Sequence, residues 1–323
     1  MWKLYKNITL SRILLVLIML AFTFPVFATK YAGEIFHYGM GVRNLALGGT
    51  GLTNQKSTCL AWWNPALLQY VTENRLEVMH AEEFEGLLKY DSFAAIWGNE
   101  KKFALSISRI AINDIPLTAL ENDSLAIGND NRPYAYDNVT NSDLVAFFGF
   151  YQKIGRFNVG FTPKLAYRKL ADETAFGFGA DLAIVTELTE KLMLAAQVRD
   201  FFTTQIFWSN GTNERVIPGS NLELSYSSNL PFINKFMTTY LRSELFFEGR
   251  EEAATVSFDP VSIDFHAGAE IELNDKIDLL LGYDVDHFTT GLAVKYRQFE
   301  MLYAFALQTE LENSHRLALN WRF

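Results

Sequence analysis

Few side chains in this chain are placed to do chemistry. The best pair is Asp264 and His266, in the run Ile263-Asp264-Phe265-His266-Ala267. Residues i and i+2 of a strand share a face, so the carboxylate there can orient the imidazole as it would a general base. A nucleophile or metal would complete such a site, yet there is no Gly-x-Ser-x-Gly elbow and no His-Glu-x-x-His motif. The plainer reading is a hydrogen-bonded histidine on a polar face, and the chain is read as a non-enzyme. Residues 113–141 hold Asp114, Glu121, Asp123, Asp130 and Asp137 against Arg132 alone. Carboxylates of this kind can ligate calcium, but no EF-hand spacing is present, so a solvated acidic loop is expected. Cys59 is the only cysteine. It can form no internal disulfide, has no metal-ligand spacing, and reads as a small buried apolar group. No cofactor and no metal is assigned.

The elements that would position these residues are strands. From Asn74 onward the hydrophobic period is two. Ile263, Phe265, Ala267, Ala269, Ile271 and Leu273 alternate with Asp264, His266, Gly268, Glu270 and Glu272, and Leu317, Leu319, Trp321 and Phe323 alternate with Arg316, Ala318, Asn320 and Arg322. The pattern predicts fourteen strands at 74–84, 87–98, 101–112, 142–152, 155–169, 173–187, 190–200, 217–228, 235–247, 262–273, 276–285, 286–297, 299–309 and 314–323. Most approach the ~9–11 residues that cross a bilayer obliquely, and single-chain bacterial barrels have even strand numbers. The long connections, 113–141, 201–216 and 248–261, all fall on one rim and the short turns on the other, as in outer-membrane barrels. The fold class is therefore all-β, a transmembrane antiparallel barrel. Closing the sheet removes edges that hydrocarbon could not solvate. The polar faces predict a lumen lined by residues that include Lys164, Arg168, Asp264, His266 and Glu270, read chiefly as a structural network. Gly177, Gly179, Gly268 and Gly282 within strands mark kinks or close approaches.

Bulk properties agree. The chain has 323 residues, is 49% hydrophobic and carries a formal net charge of −9, with no basic cluster to meet phosphates, so nucleic acid is excluded as a partner. Lys3, Lys6 and Arg12 precede an apolar run from Ile13 to Phe27, and Val26-Phe27-Ala28 supplies small residues at a cleavage site. Residues 1–28 read as a secretory signal peptide.

One stretch does not alternate. Gly39 to Leu68 is glycine-rich at its start and ends in Trp62-Trp63-Asn64-Pro65-Ala66-Leu67-Leu68. Asn-Pro is a helix-start signal, because proline needs no donor at the first helical position. An Arg followed by Leu-Ala-Leu-Gly-Gly, and later by Trp-Asn-Pro-Ala-Leu, resembles the N-terminal signature of the PorV/PorQ family of FadL-like outer-membrane barrels. Arg43, Gly48, Gly49, Trp63, Asn64, Pro65 and Ala66 carry the match; Ala-Leu replaces the usual Ala-Gly-Leu. The resemblance implies that 29–72 is a plug inside a barrel formed by 73–323. It also implies an accessory role in type IX-like protein secretion or surface attachment, with secretion components or cargo proteins as partners. The alternative is a FadL-like transporter of hydrophobic small molecules, which needs an apolar pocket, an opening in the wall and a plug that shifts. Outer-membrane lipid and the barrel-assembly machinery are expected partners in either case. Trp321 and Phe323 resemble the C-terminal signal that this machinery reads. Both termini are expected in the periplasm.

Overall fold

A computed structural model describes residues 32–84, 86–230, 234–250, 254–307 and 313–323, so the signal-peptide expectation for 1–28 lies outside the described residues. Among the described residues, seventeen strands form one sheet. In chain order they are β1 (Arg75–Glu83), β2 (Leu88–Trp97), β3 (Phe103–Ala119), β4 (Tyr134–Ile154), β5 (Phe157–Leu170), β6 (Glu173–Thr189), β7 (Leu192–Arg199), β8 (Thr204–Trp208) and β9 (Asn213–Val216). They continue as β10 (Gly219–Leu230), β11 (Lys235–Phe246), β12 (Val256–Phe258), β13 (Val261–Asn274), β14 (Ile277–Asp284), β15 (His287–Tyr296), β16 (Phe299–Leu307) and β17 (Ser314–Arg322). Three of them, β8, β9 and β12, are short additions within connections. The other fourteen form a closed antiparallel ring, because β1 pairs with both β2 and β17.

Alternation sets the two faces. Leu317, Leu319, Trp321 and Phe323 are exposed on the outer wall, as are Leu241, Phe265 and Leu292, while Arg316, Asn320, Glu270 and Asp278 are buried on the other side. Tyr167, Tyr283 and Tyr296 stand on the outer face, where amphipathic rings suit a lipid–water boundary. Tyr151 is half-buried.

The rims are unequal. One carries the connections 98–102, 155–156, 190–191, 231–234, 275–276 and 297–298; the other carries 84–87, 120–133, 171–172, 200–218, 247–260, 285–286 and 308–313. Here the structure corrects three loop expectations. Much of 113–141 is strand, since β3 and β4 run on past the wall as a paired ribbon. Residues 201–216 contain the β8–β9 hairpin, in which β8 continues along β6 where β7 stops. Residues 248–261 contain β12. In each case extension satisfies backbone donors that an irregular loop would leave to water.

Residues 32–71 form no strand. They fold into short helices Glu34–His37, Val42–Ala46 and Leu60–Trp63, then a 3₁₀ helix Pro65–Tyr70. Nearly all of this segment is buried, against the inward side chains of the strands.

Candidate functional site

The site is the junction between residues 32–71 and the inner wall. Local chemistry shapes the segment first. Asn64 is extended and its Oδ1 accepts from Ala66 N at 3.0 Å, so it caps the 3₁₀ helix while Pro65 fills the position that lacks a partner. The other end of the Asn64 amide donates to Leu52 O at 2.7 Å. Trp63 Nε1 donates to Met40 O at 2.7 Å, and Asn44 Nδ2 donates to Thr50 O at 2.9 Å. Each polar side chain of the Trp-Asn-Pro stretch thus ties one part of the segment to another.

The wall grips this unit by charge. The Arg43 guanidinium donates to Glu270 at 2.8 Å, Asp278 at 3.3 Å and Glu300 at 2.6 Å, all buried. Lys56 joins the cluster, 2.5 Å from Glu270 and 2.7 Å from Glu272. Glu223 works the other way, accepting from the backbone N–H groups of Gly51 and Thr53, both at 2.7 Å. Arg199 lies over the Trp62 ring at 3.7 Å, and Arg242 faces Trp63 at 5.5 Å. Gln197, Thr162 and Thr289 bond the segment's carbonyls at Trp63, Ala61 and Ala46.

The wall also makes room. At Gly160 a Cβ would fall 2.6 Å from Ala66 N, and at Gly268 a Cβ would fall 2.6 Å from Leu47 O. A Cβ on Gly282 would collide with Gly48 N. Gly48 itself has a φ of +67°, which a side chain would strain. The segment therefore bridges two bare patches of wall, one on β4–β5 facing Pro65 and one on β13–β14 facing Gly48. In contrast Gly177 and Gly179 meet Ile206 and Thr204 of β8 rather than the N-terminal segment.

The lumen candidates all sit on inward or half-buried positions, but Asp264 and His266 are not each other's partners. Lys164 pairs with Asp181 at 2.8 Å and Asp200 at 2.7 Å, and Arg168 pairs with Asp143 at 2.7 Å. Asp264 does not orient His266; it binds Arg250 at 2.7 Å. The carboxylate beside His266 Nδ1 is Asp284, 2.8 Å away on the neighbouring strand, and Gly48 O lies 3.2 Å from the same nitrogen. Arg242 donates to His266 Nε2 at 2.8 Å. A guanidinium cannot accept, so Nε2 is the acceptor and Nδ1 carries the hydrogen. Both ring nitrogens are thereby occupied by groups of the protein itself. Cys59 is fully buried, its Sγ 3.6 Å from Glu77 Oε1. Trp321 and Phe323 stack on the outer face with centroids 4.5 Å apart.

Two features of the wall are candidate openings. Over Gly268 and Gly282 the outer surface sinks into an apolar groove of about 700 Å³ lined by Leu241, Leu281, Phe288 and Leu307. The ladders beneath it pass through Gly268 and Gly282 without a break, so this is a dent and not a gap. The β4–β5 ladder is different. It pairs Phe147 with Lys164 and Phe150 with Phe161, but skips Phe148 opposite Pro163 and Gly149 opposite Thr162. The cause is Pro163, which has no N–H to give and sits in a strand paired on both sides. A Cβ on Gly149 would stand 3.1 Å from Pro65 Cβ, so the segment backs this interruption directly.

Sequence reasoning missed Glu223, Arg242, Glu300 and Pro163. The first three were legible as polar members of alternating runs. Pro163 had a sharper signal, a proline inside an otherwise regular strand.

No family model matches the chain, and no curated protein matches it. Among solved structures it is similar to the toluene transporter TbuX of Ralstonia pickettii, with a TM-score of 0.58 and 13% identity over 89% of this chain and 99% of that one. It is also similar to the toluene transporter TodX of Pseudomonas putida, with a TM-score of 0.54 and 12% identity over 88% of this chain and 98% of that one. These neighbours are FadL-like outer-membrane barrels, and at such identities the likeness is one of fold.

Proposed function

We propose that this barrel passes small apolar molecules across the outer membrane, with residues 32–71 acting as its plug. The observation that carries the reading is the interrupted ladder at Phe148–Gly149 and Thr162–Pro163, closed from inside by Pro65. An intact antiparallel ladder leaves no backbone group unpaired, and a lipid-exposed group without a partner is tolerated only where protein lies behind it. Here a shift of the plug away from Gly149 and Gly160 opens a route between lumen and bilayer. Fold neighbours named as toluene transporters support small apolar compounds as the class carried. The chain starts β1 and ends β17 at the short-turn rim, which favours periplasmic termini and a long-loop rim facing outside. The outward pair Trp321 and Phe323 suits a signal read by the assembly machinery.

The substitution Pro163→Val tests this. It restores a ladder donor, so it should leave the barrel folded and slow uptake of radiolabelled toluene by cells that express it. Unchanged uptake by a folded Pro163→Val barrel counts against the route.

The PorV/PorQ resemblance supports a second reading, an accessory of protein secretion or surface attachment. Its supporting observation is that Arg43, Gly48, Trp63, Asn64 and Pro65 all belong to the bonded plug unit. Stoichiometric secretion components in a pull-down from solubilised outer membrane, without any toluene uptake, would favour it.

A further inference from the structure

The outer face of the wall is charged in one sector. On β13, β14, β15 and β16 every outward side chain is apolar or hydroxylic. On β1, β2 and β3 the outward apolar residues stop partway up the wall. Val78, Phe93 and Ile107 give way, one outward step nearer the long-loop rim, to His80, Asp91 and Arg109. One step further come Glu82 and Lys89. The side chains of His80, Asp91 and Arg109 are 54%, 45% and 48% exposed. Their row continues in register as Leu317 and Tyr303 on one side, and as Leu144 and Tyr167 on the other. The charges are therefore set into a lipid-facing row that is apolar to either side. Charge on such a face is costly where hydrocarbon covers it, so the sector points to a contact with something other than lipid chains.

The pattern of signs selects the occupant. His80 Nδ1 donates to Asp91 at 2.7 Å, Arg109 lies 3.6 Å from Asp91, and Glu82 lies 3.8 Å from His80. Glu82 stands opposite Lys89 across the β1–β2 pair, and His80 stands opposite Asp91. Cations and carboxylates thus alternate along each row and between rows. A lipid phosphate drawn to Lys89 or Arg109 meets Glu82 or Asp91 beside it, and a protein surface of either single sign is repelled by half of the patch. A checkerboard is matched by its own copy.

We propose that two copies of this chain pair through the outer faces of β1 and β2, about a two-fold axis that runs along the membrane normal between the two strands. Rotation about that axis turns each outward residue of β1 toward the residue that stands opposite it on β2, now from the second copy. Glu82 meets Lys89, His80 meets Asp91, and below them Val78 meets Phe93, each contact occurring twice, as in any isologous interface. Opposite charges leave the lipid together, and the apolar residues beneath them meet their like. The inward residues of the same strands, such as Glu77 and Glu83, stay buried in the lumen. The pairing therefore does not depend on the transport reading.

The test uses the full-length barrel, first in outer-membrane vesicles and then in detergent. Val78→Cys should yield a disulfide-linked dimer on mild oxidation with copper phenanthroline. Leu222→Cys, exposed on β10 across the ring, should not, and the native Cys59 is buried. The charges are tested by association in detergent. Glu82→Lys should raise the dimer dissociation constant roughly tenfold, and so should Lys89→Glu, because each sets like charges face to face twice. An equimolar mixture of these two variants, carrying different tags, should associate as the wild type does, since the new charge of one variant opposes that of the other. Repair within a chain cannot produce this recovery, because each variant keeps its like charges side by side. Heat-modifiable gel mobility verifies that every variant is folded. A monomeric wild type overturns the proposal, as does a mixture that associates no better than either variant alone. Equal cross-linking at 222, or cross-linking of Val78→Cys to a different protein, also overturns it. So does an anionic lipid that is held by a monomeric wild type and lost in Lys89→Glu.

Discussion

At the scale of single residues, charge placement decides how firmly residues 32–71 are held against the wall. Arg43 is the hub, because three buried carboxylates converge on it. Replacing it by methionine keeps much of the volume but leaves Glu270, Asp278 and Glu300 without their main cation. Breaking a buried pair from one side costs about 3–5 kcal/mol, so Arg43→Met should lower the unfolding temperature in a heat-modifiability assay and speed proteolysis of the plug. His37 makes a pH-dependent contact. It lies 3.4 Å from Asp200 and 3.6 Å from Glu244. Burial opposes its charge, but the two carboxylates beside it outweigh that and hold its pKa above the ordinary value. Because the folded pKa is raised, the stabilisation is complete below the unfolded value of about 6.5 and is lost as pH rises through the folded pKa. Melting curves of the wild type and of His37→Asn should therefore differ most in acid and converge in alkali; a pH-independent gap would refute this role.

At the scale of elements, the glycine patches and Pro163 are complementary devices. Gly282 lets the backbone at Leu47–Gly48 touch the wall, so Gly282→Val should either displace that segment or cost about 1–3 kcal/mol through overpacking. Hydrogen exchange at residues 42–50 distinguishes the two outcomes from an unaffected plug. Pro163→Val should gain about 0.5–1.5 kcal/mol of ladder stability, measured as a rise in unfolding temperature. The strands themselves were legible in the sequence, because one apolar face and one polar face repeat with period two from Asn74 to Phe323. The corrections have a common cause. The acidic composition of 113–141 signalled a loop, but composition does not reveal that β3 and β4 keep pairing beyond the wall. For the site, alternation put Asp264 and His266 on one face, yet the partner of His266 comes from β14, a contact that strand pairing sets and sequence spacing cannot. The two glycine patches were half legible. Gly268 and Gly282 stood out as glycines in strands, while their counterparts Gly149 and Gly160 did not, and only the fold shows that one N-terminal segment touches all four.

At the scale of the whole molecule, a closed ring of fourteen strands with a tightly bonded segment within it suits selective passage better than open diffusion. An empty barrel of this size would admit water-soluble solutes, whereas the buried network around Arg43, Glu223 and Lys164 fills the interior with bonded side chains. The route proposed at Pro163 leads sideways into hydrocarbon, which only apolar molecules can enter. One experiment therefore tests the account most directly: dual-label uptake by cells that express the barrel, with radiolabelled toluene and a polar sugar in the same suspension, against cells with an empty vector. The account predicts faster toluene uptake with sugar uptake unchanged. A rise in both would make the molecule an open pore, and a rise in neither would remove transport from its function.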